Sequence, residues 1–270
     1  MHRIAIYGKG GIGKSVIATA LTAHYAQQGQ SVLHVGCDPK GDSAPRLLEG
    51  GGTMETVLDM LSRNPNTASA QGVLHTGRHG IVCCEAGGPE PGLGCGGRGV
   101  AKTLEFLDEM EVISDGDQDV VVFDVLGDVV CGGFAAPLRR GFAEQILIVV
   151  SEEPMALFAA NNISKAVKTY SRNGVFLGGF IANLKSEGAD RDLINRFAEA
   201  LSTRVLAFIP RDPEVQLAER RRLTIVESAP ESPAAKAIMA LAEDIVGADA
   251  EAAPLPTPLS DEEFFEFIKE

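Results

Sequence analysis

The chain has 270 residues, a formal charge of −13 from 24 Lys and Arg against 37 Asp and Glu, no Trp, 30 Gly and 5 Cys. At roughly 150 residues per domain this length allows one or two domains, and 45% apolar with 23% charged residues excludes disordered, collagen-like and disulfide-scaffold classes. The acidic balance repels phosphate backbones and anionic lipid, so neither nucleic acid nor a membrane is the expected main partner, a local basic patch aside.

The segment from Met1 to Tyr7 lacks a charged-then-apolar leader pattern, which predicts a cytoplasmic protein. β-rich runs at 3–7, 31–36, 80–84, 119–124, 145–151, 175–183 and 204–209 alternate with helical patterns at 14–28, 53–62, 100–110, 154–170, 190–202, 213–221 and 232–246. Several strands are almost wholly apolar, as a parallel sheet covered on both faces requires. The apolar stretch 120–130 is broken by Asp124 and Asp128 and is shorter than the ~18–20 residues of a membrane span. One α/β domain of doubly wound type is expected over 1–246, followed at 247–270 by an acidic extension with a short helix starting at Ser260. Phe264, Phe265 and Phe267 give that helix an apolar face, which suits either a frayed tail or a strap docked on a neighbour.

Gly8-Lys9-Gly10-Gly11-Ile12-Gly13-Lys14-Ser15 follows the first strand, opens the first helix and fits G-x-x-x-x-G-K-[ST]. Glycines there turn backbone N–H groups around phosphate oxygens, Lys14 reaches the β and γ phosphates, and the Ser15 hydroxyl ligates Mg²⁺. Lys9 is a second lysine in the loop; it is either solvated or reaches across a dimer interface to the other subunit's nucleotide, as an arginine finger does. Asp124, closing the apolar run at 120–123, stands where a strand-end carboxylate holds Mg²⁺ through water, and Asp128 follows in the same segment. Asp38 and Asp42, just after the second strand, are either turn formers or part of a switch that senses the γ-phosphate.

The odd count of 5 cysteines, with no CxxC pair, argues against a secreted disulfide framework and gives a four-cysteine site within one chain no motif to support it. Cys95 lies in Gly92-Leu93-Gly94-Cys95-Gly96-Gly97 and Cys131 in Val130-Cys131-Gly132-Gly133. Glycines around a thiolate let backbone approach a bulky inorganic group and aim N–H groups at its sulfurs. Cys37, Cys83 and Cys84 read as small apolar packing residues. Two ligands per chain become four across a two-fold axis, so an iron–sulfur cluster would bridge two identical subunits.

These residues resemble the nitrogenase iron protein family over essentially the whole chain. The resemblance is carried by the loop at 8–15, Gly36-Cys37-Asp38-Pro39-Lys40, the stretch from Glu85-Ala86-Gly87-Gly88-Pro89 to Arg98-Gly99, and Asp124-Val125-Leu126-Gly127-Asp128 with Cys131-Gly132-Gly133-Phe134. Met155-Ala156-Leu157-Phe158 and Ile209-Pro210-Arg211-Asp212 belong to it too. It implies a P-loop ATPase homodimer with one [4Fe–4S] cluster held by Cys95 and Cys131 of both subunits, binding MgATP or MgADP in each. By matching positions, Gly8, Lys9, Gly10, Gly11, Ile12, Gly13, Lys14 and Ser15 would handle phosphate and Mg²⁺. Asp38 and Asp42 would form the first switch and Asp124 with Asp128 the second, Asp42 and Asp124 serving Mg²⁺, while Lys9, Lys14, Asp38 and Asp128 would carry hydrolysis. Asn183, Pro210, Asp212, Gln216 and Glu219 would surround the adenosine. Arg98 matches a docking arginine that some members have ADP-ribosylated. A ferredoxin or flavodoxin would supply electrons, and a larger nitrogenase-like heteromeric component would receive them.

Val16-Ile17-Ala18 replaces the usual Thr after the loop Ser, Ser151-Glu152-Glu153-Pro154 replaces Ser-Gly-Glu-Met, and Ala182 stands where nitrogenase iron proteins commonly carry Cys. These departures tilt the expected partner toward methylthio-alkane reductase, with true nitrogenase the alternative. A cluster-free positioning ATPase would need a DNA-binding surface or a basic membrane-seeking helix, which the acidic tail does not offer. An iron–sulfur scaffold ATPase is disfavoured by the missing CxxC.

Overall fold

The computed structural model describes residues 1–63, 69–89, 96–113, 116–127, 133–139 and 142–269. Among them an 8-stranded sheet forms the centre. Its strands are β1 (His2–Gly8), β2 (Val32–Cys37), β3 (His75–Thr76), β4 (Val82–Glu85), β5 (Val120–Val125), β6 (Gln145–Val150), β7 (Phe176–Asn183) and β8 (Val205–Ile209). They lie in the order β3-β4-β2-β5-β1-β6-β7-β8, parallel except for β3, which pairs antiparallel with β4 at one edge. The helices are α1 (Lys14–Gln27), α2 (Val57–Arg63), α3 (Gly96–Glu109), α4 (Pro154–Tyr170), α5 (Arg191–Ala200), α6 (Pro213–Arg220), α7 (Ile225–Ser228), α8 (Pro233–Val246) and α9 (Asp261–Phe267).

Strand alternation sorts the core into two layers. Ile4 and Ile6 turn toward α1, α7 and α8, whereas Ala5 and Tyr7 turn toward α3, α4 and α5. All six residues of β2, of β5 and of β6 are buried, which explains their near-continuous apolar sequences.

Three differences from the expected elements have physical causes. β3 is only two residues long and its pairing on β4 is tertiary, so no local pattern marks it. α7 is a single turn held by a capping box between Thr224 and Glu227. α3 begins at Gly96 instead of residue 100 despite the poor helix propensity of Gly96, Gly97 and Gly99. Packing decides that start: a Cβ at Gly97's neighbour Gly133 would overlap the Gly97 backbone, and one at Gly99 would lie 3.2 Å from the Gly87 carbonyl.

The last segment docks on its own chain. Ser260 caps α9 in a reciprocal box with Glu263, and the Asn161 amide, fully buried inside α4, donates to the Leu259 carbonyl at 2.9 Å and accepts from the Leu259 N–H at 2.9 Å. Phe264 is 1% exposed and meets Phe158 and Phe197 edge-on, with centroids 5.1 and 6.0 Å apart. Phe265 remains 52% exposed. Truncating Phe264→Ala is expected to cost about 3–5 kcal/mol, read as a lower denaturation midpoint in urea. A loss within experimental scatter would show that α9 contributes nothing to the fold.

Candidate functional site

The phosphate loop joins β1 to α1 at the carboxyl ends of the parallel strands, where open α/β sheets place their ligands. Gly8 has φ +144 and a Cβ there would overlap the Val149 carbonyl; Gly13 has φ +104 and a Cβ there would overlap the Asn183 amide. Only glycine satisfies both the dihedral and the space. From the end of β7, Asn183 donates to the Ile12 carbonyl at 2.7 Å and so holds the far side of the loop. The Lys14 ammonium, on a residue 7% exposed, lies 3.1 Å from the Lys9 carbonyl, close over the loop. Ser15 starts α1 beside it, and Lys9 is half-buried.

One cleft collects the expected adenosine residues. Asn183, Pro210, Asp212, Gln216 and Glu219 line it together with Gly11, Ile12 and Gly13. Their chemistry within it differs. Both Asp212 oxygens are engaged by helix starts, Oδ1 accepting from Glu214 N at 3.0 Å and Oδ2 from Ala234 N at 3.1 Å, so this carboxylate shapes the cleft by fixing α6 and α8. Glu219 pairs with the Arg46 guanidinium at 2.6 Å, and Arg46 Nε donates to the Asp42 carbonyl at 3.2 Å.

A buried polar row runs beneath α1. Parallel register aligns Glu85 with Gly36 and Gly36 with Asp124, so the two acids flank a residue without a side chain. The Glu85 carboxylate leans across that gap, where a Cβ on Gly36 would collide with it. Its Oε1 accepts from Ser43 N at 2.9 Å and Ala44 N at 2.5 Å, while the buried Oε2 has no partner among the described residues. Burial raises its pKa to about 8, with backbone hydrogen bonds from Ala44 and Ser43 opposing and the charges of Asp124 and Asp42 adding. Burial also raises Asp124, against the hydroxyls of Ser15 and Ser43 and the nearby charge of Lys14. His34 completes the row, with Thr22 Oγ1 2.9 Å from Nδ1 and Ser43 Oγ 2.9 Å from Nε2; burial lowers its pKa to about 3 and keeps it neutral.

Asp124 is therefore joined to Ser15, as a shared Mg²⁺ site requires. Asp38 and Asp42 sit nearby on the segment after β2: Asp38 Oδ1 accepts from Lys40 N at 2.9 Å and closes a turn, and Asp42 is exposed. The turn-forming and switch readings of Asp38 are thus compatible. Among the described residues no group of three or more His, Cys, Asp or Glu is arranged to hold a metal ion. Mg²⁺ commonly takes one or two carboxylates plus phosphate and water, so this donor set fits it alongside a nucleotide.

Cys95, Cys131 and Asp128 lie outside the described residues. Their flanks are described, and they meet: Gly133 approaches the Gly97 backbone so closely that no Cβ fits, and the Tyr7 hydroxyl donates to the Phe134 carbonyl at 3.0 Å. The other three thiols are buried, and burial pushes each pKa up, Cys83 to about 12. Their burial and raised pKa fit the reading of these three as small apolar packing residues. The close glycine approach and the remaining pair of cysteines thus fit a shared iron–sulfur group. Arg98 is exposed on the first turn of α3 and lines a groove with Lys102, Asp59 and Glu105, so the patch around it is mixed in sign.

Reasoning on sequence missed Glu85, Ser43 and His34 as site components. The available signal was an acid closing the apolar run 80–84, the same pattern that singled out Asp124. Because Glu85 holds its proton more tightly when folded, its contribution to stability is present below about 4.5 and is lost as pH rises toward about 8. Glu85→Gln should remove up to about 1.4 kcal/mol per pH unit from the slope of unfolding free energy in that window. Equal slopes for variant and parent in urea titrations at stepped pH would refute the buried acid.

The family model described as 4Fe-4S iron sulfur cluster binding proteins, NifH/frxC family, matches residues 2–270. A protein named nitrogenase iron protein from Methanospirillum hungatei is 44% identical over 250 residues, covering 91% of this chain and 88% of that one. Another of the same name from Methanococcus voltae is 42% identical over 264 residues, covering 97% and 94%. In fold the chain resembles the septum site-determining protein MinD of Pyrococcus horikoshii solved with Mg-ADP, at TM-score 0.72 and 22% identity over 92% of this chain and 97% of that one. It also resembles a ParA family ATPase from Chlorobium tepidum, at TM-score 0.68 and 16% identity over 90% and 98%. This chain has a P-loop α/β fold with a mostly parallel sheet, and at the level of sequence it belongs to the 4Fe-4S cluster-binding NifH/frxC family.

Proposed function

We propose that this chain is the ATP-dependent reductase of a nitrogenase-like system, working as a homodimer that passes single electrons to a larger catalytic component. The observation that carries this reading is the meeting of the Cys95 and Cys131 flanks at Gly97 and Gly133, on segments that leave the same carboxyl end of the parallel strands as the phosphate loop. Residues 1–246 are read as the iron-protein domain and 247–270 as its acidic extension.

Cys95 and Cys131 of both subunits would hold the cluster, which when bound supplies a one-electron donor of low potential. The loop from Gly8 to Ser15 binds the phosphates, Lys14 places positive charge on the β and γ groups, and Ser15, Asp42 and Asp124 would hold Mg²⁺. Lys9 reaches toward the partner subunit's nucleotide and adds charge as the γ-phosphate leaves. Asp38 and Asp128 orient groups around that phosphate. Asn183, Pro210, Gln216 and Glu219 enclose the adenosine, with Asp212 fixing the start of α6, which carries Gln216 and Glu219. Asp124 and Cys131 share one short segment, so a displacement at the phosphate shifts the surroundings of the cluster.

Arg98 is the docking contact on the partner's side of the dimer, and a ferredoxin or flavodoxin supplies electrons. For the final acceptor the departures at Val16, Glu152 and Ala182 favour methylthio-alkane reductase. The similarity to proteins named nitrogenase iron protein supports nitrogenase itself as the second reading.

Anaerobically purified protein should contain about four Fe per dimer; Cys95→Ala or Cys131→Ala should lose the iron and its reduced-state EPR signal while circular dichroism is unchanged. Retention of the full iron content by either variant overturns the ligand assignment. Lys9→Gln should bind MgATP normally yet lower hydrolysis by about 10³-fold or more, the scale of an arginine-finger loss. Unaltered turnover would sink the cross-subunit role.

A further inference from the structure

We infer that Pro39 is a positioning residue that carries the state of the bound nucleotide to the start of α3, which follows Cys95 in sequence, by a route separate from the 124–131 segment; the inference rests on the cluster and nucleotide reading above. Gly88 and Gly96 stand on either side of the stretch containing Cys95, and the Pro39 ring occupies the space of both missing side chains. A Cβ on Gly88 would overlap Pro39 Cβ and lie 2.8 Å from its Cα, and a Cβ on Gly96 would overlap Pro39 Cγ. Neither glycine has a positive φ, so backbone conformation does not demand glycine at either place. The cradle for Pro39 does.

The segment holding Pro39 is built to move as one piece. Asp38 Oδ1 accepts the Lys40 N–H at 2.9 Å and the Asp38 carbonyl accepts the Gly41 N–H at 3.0 Å, a tight turn around a residue whose φ is fixed by its ring. Its far end is fastened by the Ser43 and Ala44 N–H groups on Glu85. Glu85 ends β4, whose chain continues to Gly88. The switch segment therefore grips the β4–α3 connection at two points, Glu85 and the Gly88–Gly96 cradle. Close-packed contacts of this kind transmit displacement instead of absorbing it. The position a Gly96 Cβ would take is also 3.7 Å from Phe134 Cζ, so the same contact touches the segment that follows Cys131.

The test is amide hydrogen exchange at the start of α3 in the full-length protein, purified anaerobically, with and without MgADP. In the parent, MgADP should change exchange over residues 97–103 by at least about fivefold, the lower range of site-to-site coupling. Pro39→Ala removes the ring carbons that fill Gly96 and should cut that response to below about twofold while MgADP still binds by calorimetry. Gly96→Ala installs a Cβ against Pro39 Cγ and should also suppress it. The double variant Pro39→Ala with Gly96→Ala puts the new methyl into the space the ring vacated, restoring contact across the cradle without the clash, and should regain more response than either single variant, an outcome that general loss of structure would not give. An undiminished response in Pro39→Ala, or no recovery in the double variant, overturns the route. The readout does not depend on iron, so iron analysis of the same parent sample judges the cluster reading separately.

Discussion

The nucleotide end of this molecule depends on one hydrogen-bonded arrangement, the Glu85 carboxylate reaching over Gly36 to the Ser43 and Ala44 N–H groups. A side chain at Gly36 would force Glu85 away and release the start of the segment that follows Asp42. The cost of this arrangement is a buried acid with an oxygen that has no partner among the described residues, a kind of group that stable cores avoid unless its placement matters. Its proximity to Asp124 adds repulsion that neither residue would meet alone. The row tolerates both because Ser15, Ser43 and Lys14 stabilise Asp124 while Glu85 retains a proton.

The strands and the phosphate loop were legible because their signals are local. Alternation and apolar runs located seven strands, and the order of glycines and Lys14 located the loop. The row beneath α1 was hidden because it is a product of register. Gly36, Glu85 and Asp124 come from separate parts of the chain and become neighbours only when β4, β2 and β5 pair in parallel. The early start of α3 was hidden for a related reason, since three glycines in its first turn predict a loop until Gly133 and Leu58 pack against them.

The glycines form a single pattern once the packing is known. Gly8 and Gly13 serve the loop through positive φ, whereas Gly88, Gly96, Gly97 and Gly133 serve close approach. Composition treats these alike, and only the second group marks where the switch segment and the two cysteine segments touch. The cysteines divide in the same way. Cys37, Cys83 and Cys84 are buried in the core, whereas Cys95 and Cys131 stand in glycine-rich stretches of the sequence.

Charge and the tail complete the argument about docking. The net charge of −13 is distributed with acids on the extension, where Asp261 pairs with Lys165 at 2.9 Å and Glu266 with Lys269 at 2.6 Å. Phe264 and the Asn161 clasp fix that acidic helix on α4, on the layer of the sheet that also carries α3. The groove at Arg98 is itself of mixed sign, with Lys102 set against Asp59 and Glu105. A partner docking on this face would have to present both charges at matched positions, so a groove of this kind favours recognition by pattern over bulk attraction, and like-charge juxtaposition would reject surfaces of the wrong arrangement.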